Sequence, residues 1–346
     1  MRKKTALSAL ALLLALLLCV TTACGGTTQD DGPESTAAGM TEATEPQSLS
    51  FAERCENAVA TVITASDFQE SGTFFRFSGI LSTIAEAGCP TPDCALLGGD
   101  YNIETGVDPD NHIRLIRDGL RDAFPEFAQE NAIFVQGNHD SASPELTTTG
   151  AHDMGDFVVY VLNEDDFPTG QSAQDVQDTL RNLGEYLSGM VDAGDCRPVL
   201  VATHVPLHHN SRHDNGYAKY LVDALNHYGQ DLDILVLFGH NHSGTYDDDI
   251  GGSVNLIGRG ETMRVQIPGQ EYTQLSSNFV EVTLNFTYMN YGYVGYSANT
   301  YVNALTVGVI QICPDSIEIT RFTTEGEYSH DSVPLLHPLY QQQKAA

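Results

Sequence analysis

Short apolar runs that end in polar clusters recur through the first two-thirds of the chain. Val59–Thr64 is a β-branched run that ends at Ser66-Asp67; a run of this kind, too short for a helix, reads as a buried strand. Phe77, Ile80, Leu81 and Ile84 then recur at helical spacing, and Gly88 stops that helix. Ala95–Leu97 is a second apolar run and ends in Gly98-Gly99-Asp100. His112–Phe124 reads as a helix. Ala132–Val135 reads as a strand ending in Gly137-Asn138-His139-Asp140. Val176, Leu180, Leu183 and Leu187 mark a long amphipathic helix. Val199–Ala202 is a strand ending at Thr203-His204, Ala218–Tyr228 a helix, and Ile234–Phe238 a strand ending in Gly239-His240-Asn241-His242.

Strand, polar loop and helix in repetition predict an α/β layered domain. Each polar cluster follows the C-terminal end of an apolar strand. Open α/β sheets gather ligands at that edge, so clusters far apart in sequence can converge on one site. The tail has a different texture. Val254–Ile257, Asn278–Phe286, Ala304–Ile312 and Ile317–Phe322 alternate or run apolar with few helical stretches, which predicts a second, mostly antiparallel sheet.

The first 24 residues do not belong to this pattern. Arg2, Lys3 and Lys4 precede an apolar stretch, Ala6–Val20, too short for a comfortable membrane span; small residues then lead to Cys24. This resembles a bacterial lipoprotein signal cleaved before Cys24, with lipid on its sulfur, although Thr21 stands where such signals carry an aliphatic residue. Plain secretion is the fallback. Gly25–Gln47 has no aromatic or branched aliphatic residue, cannot bury a core and reads as a flexible tether. The expected organisation is a signal over 1–24, a linker over 25–49 and one domain over 50–346. It places the domain outside the cytoplasm, held to the cell membrane only through the lipid.

The formal charge of −30 repels nucleic acid and anionic membrane at long range, so no nucleic-acid partner is expected. It does not exclude an anionic substrate, because bound divalent cations reverse the potential locally. Of seven cysteines, five lie beyond Cys24. Cys89 and Cys94 enclose a tight Pro-Thr-Pro-Asp loop that a bridge could close; buried thiols are the other reading. The oligomeric state is not readable from the sequence.

The strand ends carry Asp67, Gln69, Asp100, Asn138, His139, His204, His240 and His242. Carboxylates, imidazoles and amide oxygens, without thiolate, suit divalent Mn, Fe or Zn. One carboxylate can bridge two such ions, and the pair can bind phosphate oxygens and acidify a water. Gly99-Asp100, Gly137-Asn138-His139-Asp140, His204 and Gly239-His240-Asn241-His242, in this order, resemble the signature of the calcineurin-like metallophosphoesterases. The resemblance implies a four-layer fold of two mixed β-sheets packed as a sandwich and flanked by helices. It implies two divalent ions, Mn favoured: one held by Asp67, Gln69, Asp100 and His242, the other by Asp100, Asn138, His204 and His240, with Asp100 as the bridge. A hydroxide between the ions would attack a small phosphorylated substrate, an ester or anhydride. His139 would assist the leaving group and Asp140 would orient His139. One departure stands out. The family's first motif is Asp-x-His, and here it is Asp67-Phe68-Gln69; an amide oxygen is a weaker ligand than imidazole.

Weaker signals leave alternatives open. His208, beside His209 and His213, reads either as substrate-facing or as part of a polar surface loop. Arg259, between two glycines, could bind phosphate or make a surface ion pair. Tyr288, Tyr291, Tyr293 and Tyr296 could stack on a base or sugar, with sheet packing the weightier account. A catalytically weak or inactive binding lipoprotein on the same fold is the competing function. Gln69 speaks for it; the intact remaining motifs speak against it.

Overall fold

The computed structural model describes residues 49–69, 71–102, 109–167, 173–208, 216–242, 256–267, 279–295 and 305–339. The expected signal with Cys24, most of the linker, His209, His213 and Tyr296 lie outside the described residues. A short helix, α1 (Phe51–Asn57), opens the domain. Its Ser50 side chain accepts from the Glu53 N–H and the Glu53 carboxylate accepts from the Ser50 N–H, a reciprocal cap that satisfies two orphan donors.

Three parallel strands follow: β1 (Ala60–Ala65), β2 (Cys94–Leu97) and β3 (Ala132–Phe134). Between them run α2 (Ser71–Glu86) and α3 (Asp110–Ala123). Every residue of these strands is buried, which is why they read as unbroken apolar runs rather than alternating ones. Next come β4 (Gly150–Asp153), β5 (Val158–Leu162), α4 (Ala173–Ala193), β6 (Val199–Thr203), α5 (Ala218–Tyr228) and β7 (Ile234–Phe238). The tail contributes β8 (Leu256–Ile257), β9 (Thr262–Gln266), β10 (Phe279–Thr283), β11 (Thr287–Asn290), β12 (Val307–Ile312), β13 (Ser316–Thr323) and β14 (Gly326–Pro334).

The strands form two six-stranded mixed sheets, ordered β14-β13-β12-β1-β2-β3 and β4-β5-β6-β7-β11-β8, with β9 and β10 as a separate pair. One core, including Val62, Leu96, Val159, Leu200, Leu237 and Ile310, lies between the sheets. A second packs the first sheet on α2 and α3 through residues such as Phe77, Ile84 and Ile116. A third packs the second sheet on α4 and α5 through Leu183, Leu187 and Leu221. Helix, sheet, sheet and helix are the four layers expected.

The separate antiparallel tail sheet is not what forms. β12, β13 and β14 extend the first sheet, β12 antiparallel to β1 and each next strand antiparallel to the one before, while β8 and β11 extend the second, β11 parallel to β7. Apart from the β9–β10 pair, the strands of the tail are divided between the two sheets because each sheet's parallel core ends in an unpaired edge that needs a partner. Tyr288, Tyr291 and Tyr293 are buried by this pairing, so sheet packing accounts for them. Among the described residues no helix is long and apolar enough to cross a membrane. Cys55, Cys89, Cys94, Cys196 and Cys313 are all free thiols, so the Cys89–Cys94 bridge is not formed.

Candidate metal centre

β1, β2 and β3 of one sheet and β6 and β7 of the other end at a common edge, and the polar clusters that follow them meet there. Two groups of possible ligands result: Asp100, His204 and His240, and Asp67, Asp100 and His242; within each group one atom per residue lies within 4.8 Å of the others. Asp100 is common to both.

The backbone is bent to achieve this. Asp67, Gln69, Asp100, His240 and His242 have φ of 59°, 40°, 56°, 67° and 53°. Among the described residues these are the non-glycine residues with left-handed φ, a conformation that costs on the order of 1–3 kcal/mol each. Glycine permits the close contact beneath them. A Cβ on Gly137 would stand 2.3 Å from the Asp100 nitrogen and 2.4 Å from its Oδ1, so only hydrogen fits.

Around Asn138 the contacts are tight. Its Oδ1 lies 3.1 Å from His204 Nε2 and 2.7 Å from His240 Nδ1. His204 Nε2 is 3.3 Å from Asp100 Oδ1. His204 Nδ1 donates to the Gly98 carbonyl at 2.6 Å, which turns Nε2 toward the cluster, as is usual for a metal-binding imidazole. Burial opposes a charged His204 ring, but the Asp100 carboxylate, with Asp67 behind it, outweighs burial and pushes its pKa up to about 10 in the metal-free chain. Asp100 is buried, which works against its charge; His204 and the His139 N–H hold it well below the usual carboxylate range.

In the other group His242 Nε2 lies 3.5 Å from Asp67 Oδ1, and its ring stacks on Tyr293 with centroids 5.2 Å apart. Ser66 Oγ and the His240 N–H donate to Asp67. The Gln69 amide reaches Asp100 Oδ2 at 3.0 Å and His242 Nε2 at 3.1 Å through Nε2. A half-turn of that amide, whose oxygen and nitrogen are assigned by their hydrogen bonds, presents the oxygen to the same place. His139 stands on the more open side, 27% exposed, with Nε2 3.9 Å from Asp100 Oδ2.

Asp140 is used differently from the expectation. Its Oδ2 accepts the N–H groups of Asp100 and Gly137 at 2.8 and 2.9 Å, and its Oδ1 that of Tyr101 at 2.9 Å. What it orients is the loop backbone that carries Asp100. Burial and the neighbouring Asp100 charge push its pKa up to about 7 against the pull of these amides.

The two expected substrate residues are engaged with protein groups instead. His208 is 5% exposed, with Nδ1 2.9 Å from the Tyr288 hydroxyl and Nε2 3.0 Å from Asn241 Nδ2. It supports the turn between His240 and His242 from behind. Arg259 donates to the Gly229 and Leu232 carbonyls and pairs with Asp233. Asp233 precedes β7, whereas His240 follows it, and at about 3.3 Å per residue that strand separates Arg259 from the cluster. Ser66 and Asn241 were not singled out from the sequence. Their position, one residue from Asp67 and between two candidate ligands, was the available signal.

Residues 60–244 match the family model of calcineurin-like phosphoesterases. The chain belongs to that family. None of the curated proteins is significantly similar to it in sequence. Solved structures similar in fold include a dimetal phosphatase from Danio rerio, 12% identical over 80% of this chain and 99% of that one, with a TM-score of 0.46. A predicted phosphoesterase from Streptococcus pneumoniae is 11% identical over 80% and 97%, TM-score 0.35. GAP50 of Plasmodium, described as the anchor in the inner membrane complex, is 10% identical over 80% and 89%, TM-score 0.43.

The donor set fits divalent cations: two buried carboxylates and three imidazoles converge with an amide oxygen, and two like charges this deeply buried call for a compensating cation. Two outcomes are expected from this geometry. Loading the metal-free protein at pH 7 should expel a proton, because His204 is protonated below about pH 10 and must be neutral to ligate. Calorimetric heats of metal binding should then vary with the ionisation enthalpy of the buffer; equal heats across buffers would contradict it. Asp140→Asn should place an amide NH2 against backbone N–H donors, cost about 1–3 kcal/mol of stability and lower metal occupancy, read by denaturant melts and elemental analysis.

Proposed function

We propose that the protein is an extracytoplasmic phosphoesterase that uses two divalent ions to hydrolyse a phosphate ester or anhydride of a small molecule. The observation that carries this is the sharing of Asp100 by two ligand groups, with His139 on their more open side. Asp67, Gln69, Asp100 and His242 would hold one ion, and Asp100, Asn138, His204 and His240 the other. The ions would supply Lewis acidity, an acidified water and positive charge for phosphate oxygens. The first group is richer in oxygen donors than the second, which favours a hard ion such as Mn there.

The chain's own residues do the rest. His204 is held by the Gly98 carbonyl in the tautomer that leaves Nε2 to the cluster. Asn138 Oδ1 fixes the spacing of His204 and His240. The His139 N–H donates to Asp100 Oδ1 at 3.0 Å, which sets the imidazole beside the shared carboxylate, where it can give a proton to a departing oxygen. Asp67, Asp100 and His204 form the buried floor of the cluster. Upstream, Cys24 would carry the lipid and residues 25–49 the tether to the domain at 50–346.

With Mn added, the protein should hydrolyse para-nitrophenyl phosphate or its bis ester. His139→Ala should lower kcat by about 10²–10⁴-fold while elemental analysis finds the same metal content. No turnover by metal-loaded protein on monoesters, diesters or nucleotide anhydrides would favour the binding-lipoprotein reading. In a bacterial host fed labelled palmitate, the full chain should take up label and Cys24→Ala should not; equal labelling would remove the anchor assignment.

A further inference from the structure

The cysteines are arranged for a pairing the sequence does not suggest. Side chains of β2 alternate: Cys94 and Leu96 enter the core between the sheets, Ala95 and Leu97 the core beneath α2 and α3. Cys89, just past the last turn of α2, belongs to the helix-side core. Cys89 and Cys94 therefore face opposite sides of the sheet, and a bridge between them would have to pass through it.

On its own side Cys89 meets α1. Gly88, at φ 96°, brings the chain so close that a Cβ there would stand 3.2 Å from the Ala52 Cβ. Ala52 and Cys55 are three apart and share a face of α1. The turn bearing Cys89 thus crosses the face bearing Cys55, and the two thiols interact side chain to side chain. Both are buried, 6% and 8% exposed. Gln311 Nε2 lies 2.9 Å from Cys55 Sγ and holds it in place. The backbone N–H of Cys89 bonds to the Ile84 carbonyl, which fixes the turn.

We propose that Cys55 and Cys89 join as a disulfide when the chain folds in an oxidising compartment, stapling α1 to the end of α2. Cys55 acts first, as the thiolate. Its sulfur attacks a donor disulfide, of glutathione or an oxidoreductase, forming a mixed disulfide and releasing one donor thiolate. Cys89 sulfur then attacks the Cys55 sulfur, closes the intramolecular bond and releases the second donor thiolate. Two electrons pass from the pair to the donor, and the two protons end on the donor thiols. Burial requires the exchange to precede the docking of α1. The closed loop spans β1 and α2, so the bond restricts the unfolded chain around the first strand of the catalytic sheet. This inference does not rest on the hydrolase reading.

Peptide mapping tests it directly. The chain is refolded with oxidised and reduced glutathione, or recovered from an oxidising compartment, then alkylated in denaturant without reductant and digested with trypsin. Cleavage after Arg54, Arg76 and Arg114 puts Cys55 on residues 55–76 and Cys89 and Cys94 together on residues 77–114. The expected product is a cross-linked 55–76/77–114 pair that reductant separates, with Cys94 alkylated. Reductant should lower the melting temperature of the wild type by about 5 °C and leave the Cys55→Ser/Cys89→Ser variant unmoved. Full alkylation of Cys55 and Cys89, a bond within 77–114, or a link from Cys55 to the peptide of Cys313 would each overturn the proposal. The mapping uses wild-type protein, so it stands even if the double variant does not fold.

Discussion

Two carboxylates, Asp67 and Asp100, are buried side by side at the joint edge of two sheets, and much of the molecule follows from that placement. Buried like charges are costly unless opposite charge and directed donors surround them. The chain supplies donors from its own backbone: the His240 N–H to Asp67 and the His139 N–H to Asp100. Each donor comes from a loop that belongs to a different strand from the carboxylate it serves. The carboxylates thus tie the strand ends together, and the imidazoles stand where a shared cation would complete the neutralisation.

Backbone strain has the same origin. A side chain at the end of a parallel strand would ordinarily continue the alternation into one of the cores. Left-handed φ at Asp67, Asp100, His240 and His242 redirects these side chains to a point between the sheets. That bend requires neighbouring loops to approach at distances that exclude a Cβ, as between Gly137 and Asp100. Strain, glycine and ligand are three aspects of one geometric demand.

This explains what the sequence discloses. Strands buried on both faces read as uninterrupted apolar runs, and each run stops where the chain must bend, so β1, β2, β3, β6 and β7 and their ligand clusters are visible together. β5 has the same apolar character, Val158–Leu162, but leads to no ligand cluster; α1, two turns long, is too short to show a periodic pattern. The partners of the tail strands are not legible, because alternation encodes which face is buried and not which edge is free. The same limit applies to His208 and Arg259. Residue type suggested phosphate recognition, but what each side chain meets depends on contacts with Asn241, Tyr288 and Asp233, remote in the sequence. The Cys55–Cys89 contact was hidden for that reason, while the short Cys89–Cys94 spacing pointed to a pair that the sheet separates.

Asp140 shows how far fold and site are one object. Its carboxylate accepts from Gly137 in its own loop and from Asp100 and Tyr101 in the loop after β2. Its neighbour His139 returns a backbone hydrogen bond to Asp100. The loops after β2 and β3 therefore fold as an interlocked pair: neither can relax without leaving a buried carboxylate without donors, a cost of several kcal/mol for a charged group. Because Asp100 belongs to both ligand groups, loosening either loop disturbs both at once. The two ligand groups are thus coupled through the backbone before any cation enters, and a partly formed centre, with one group in place and the other open, is the arrangement this geometry disfavours.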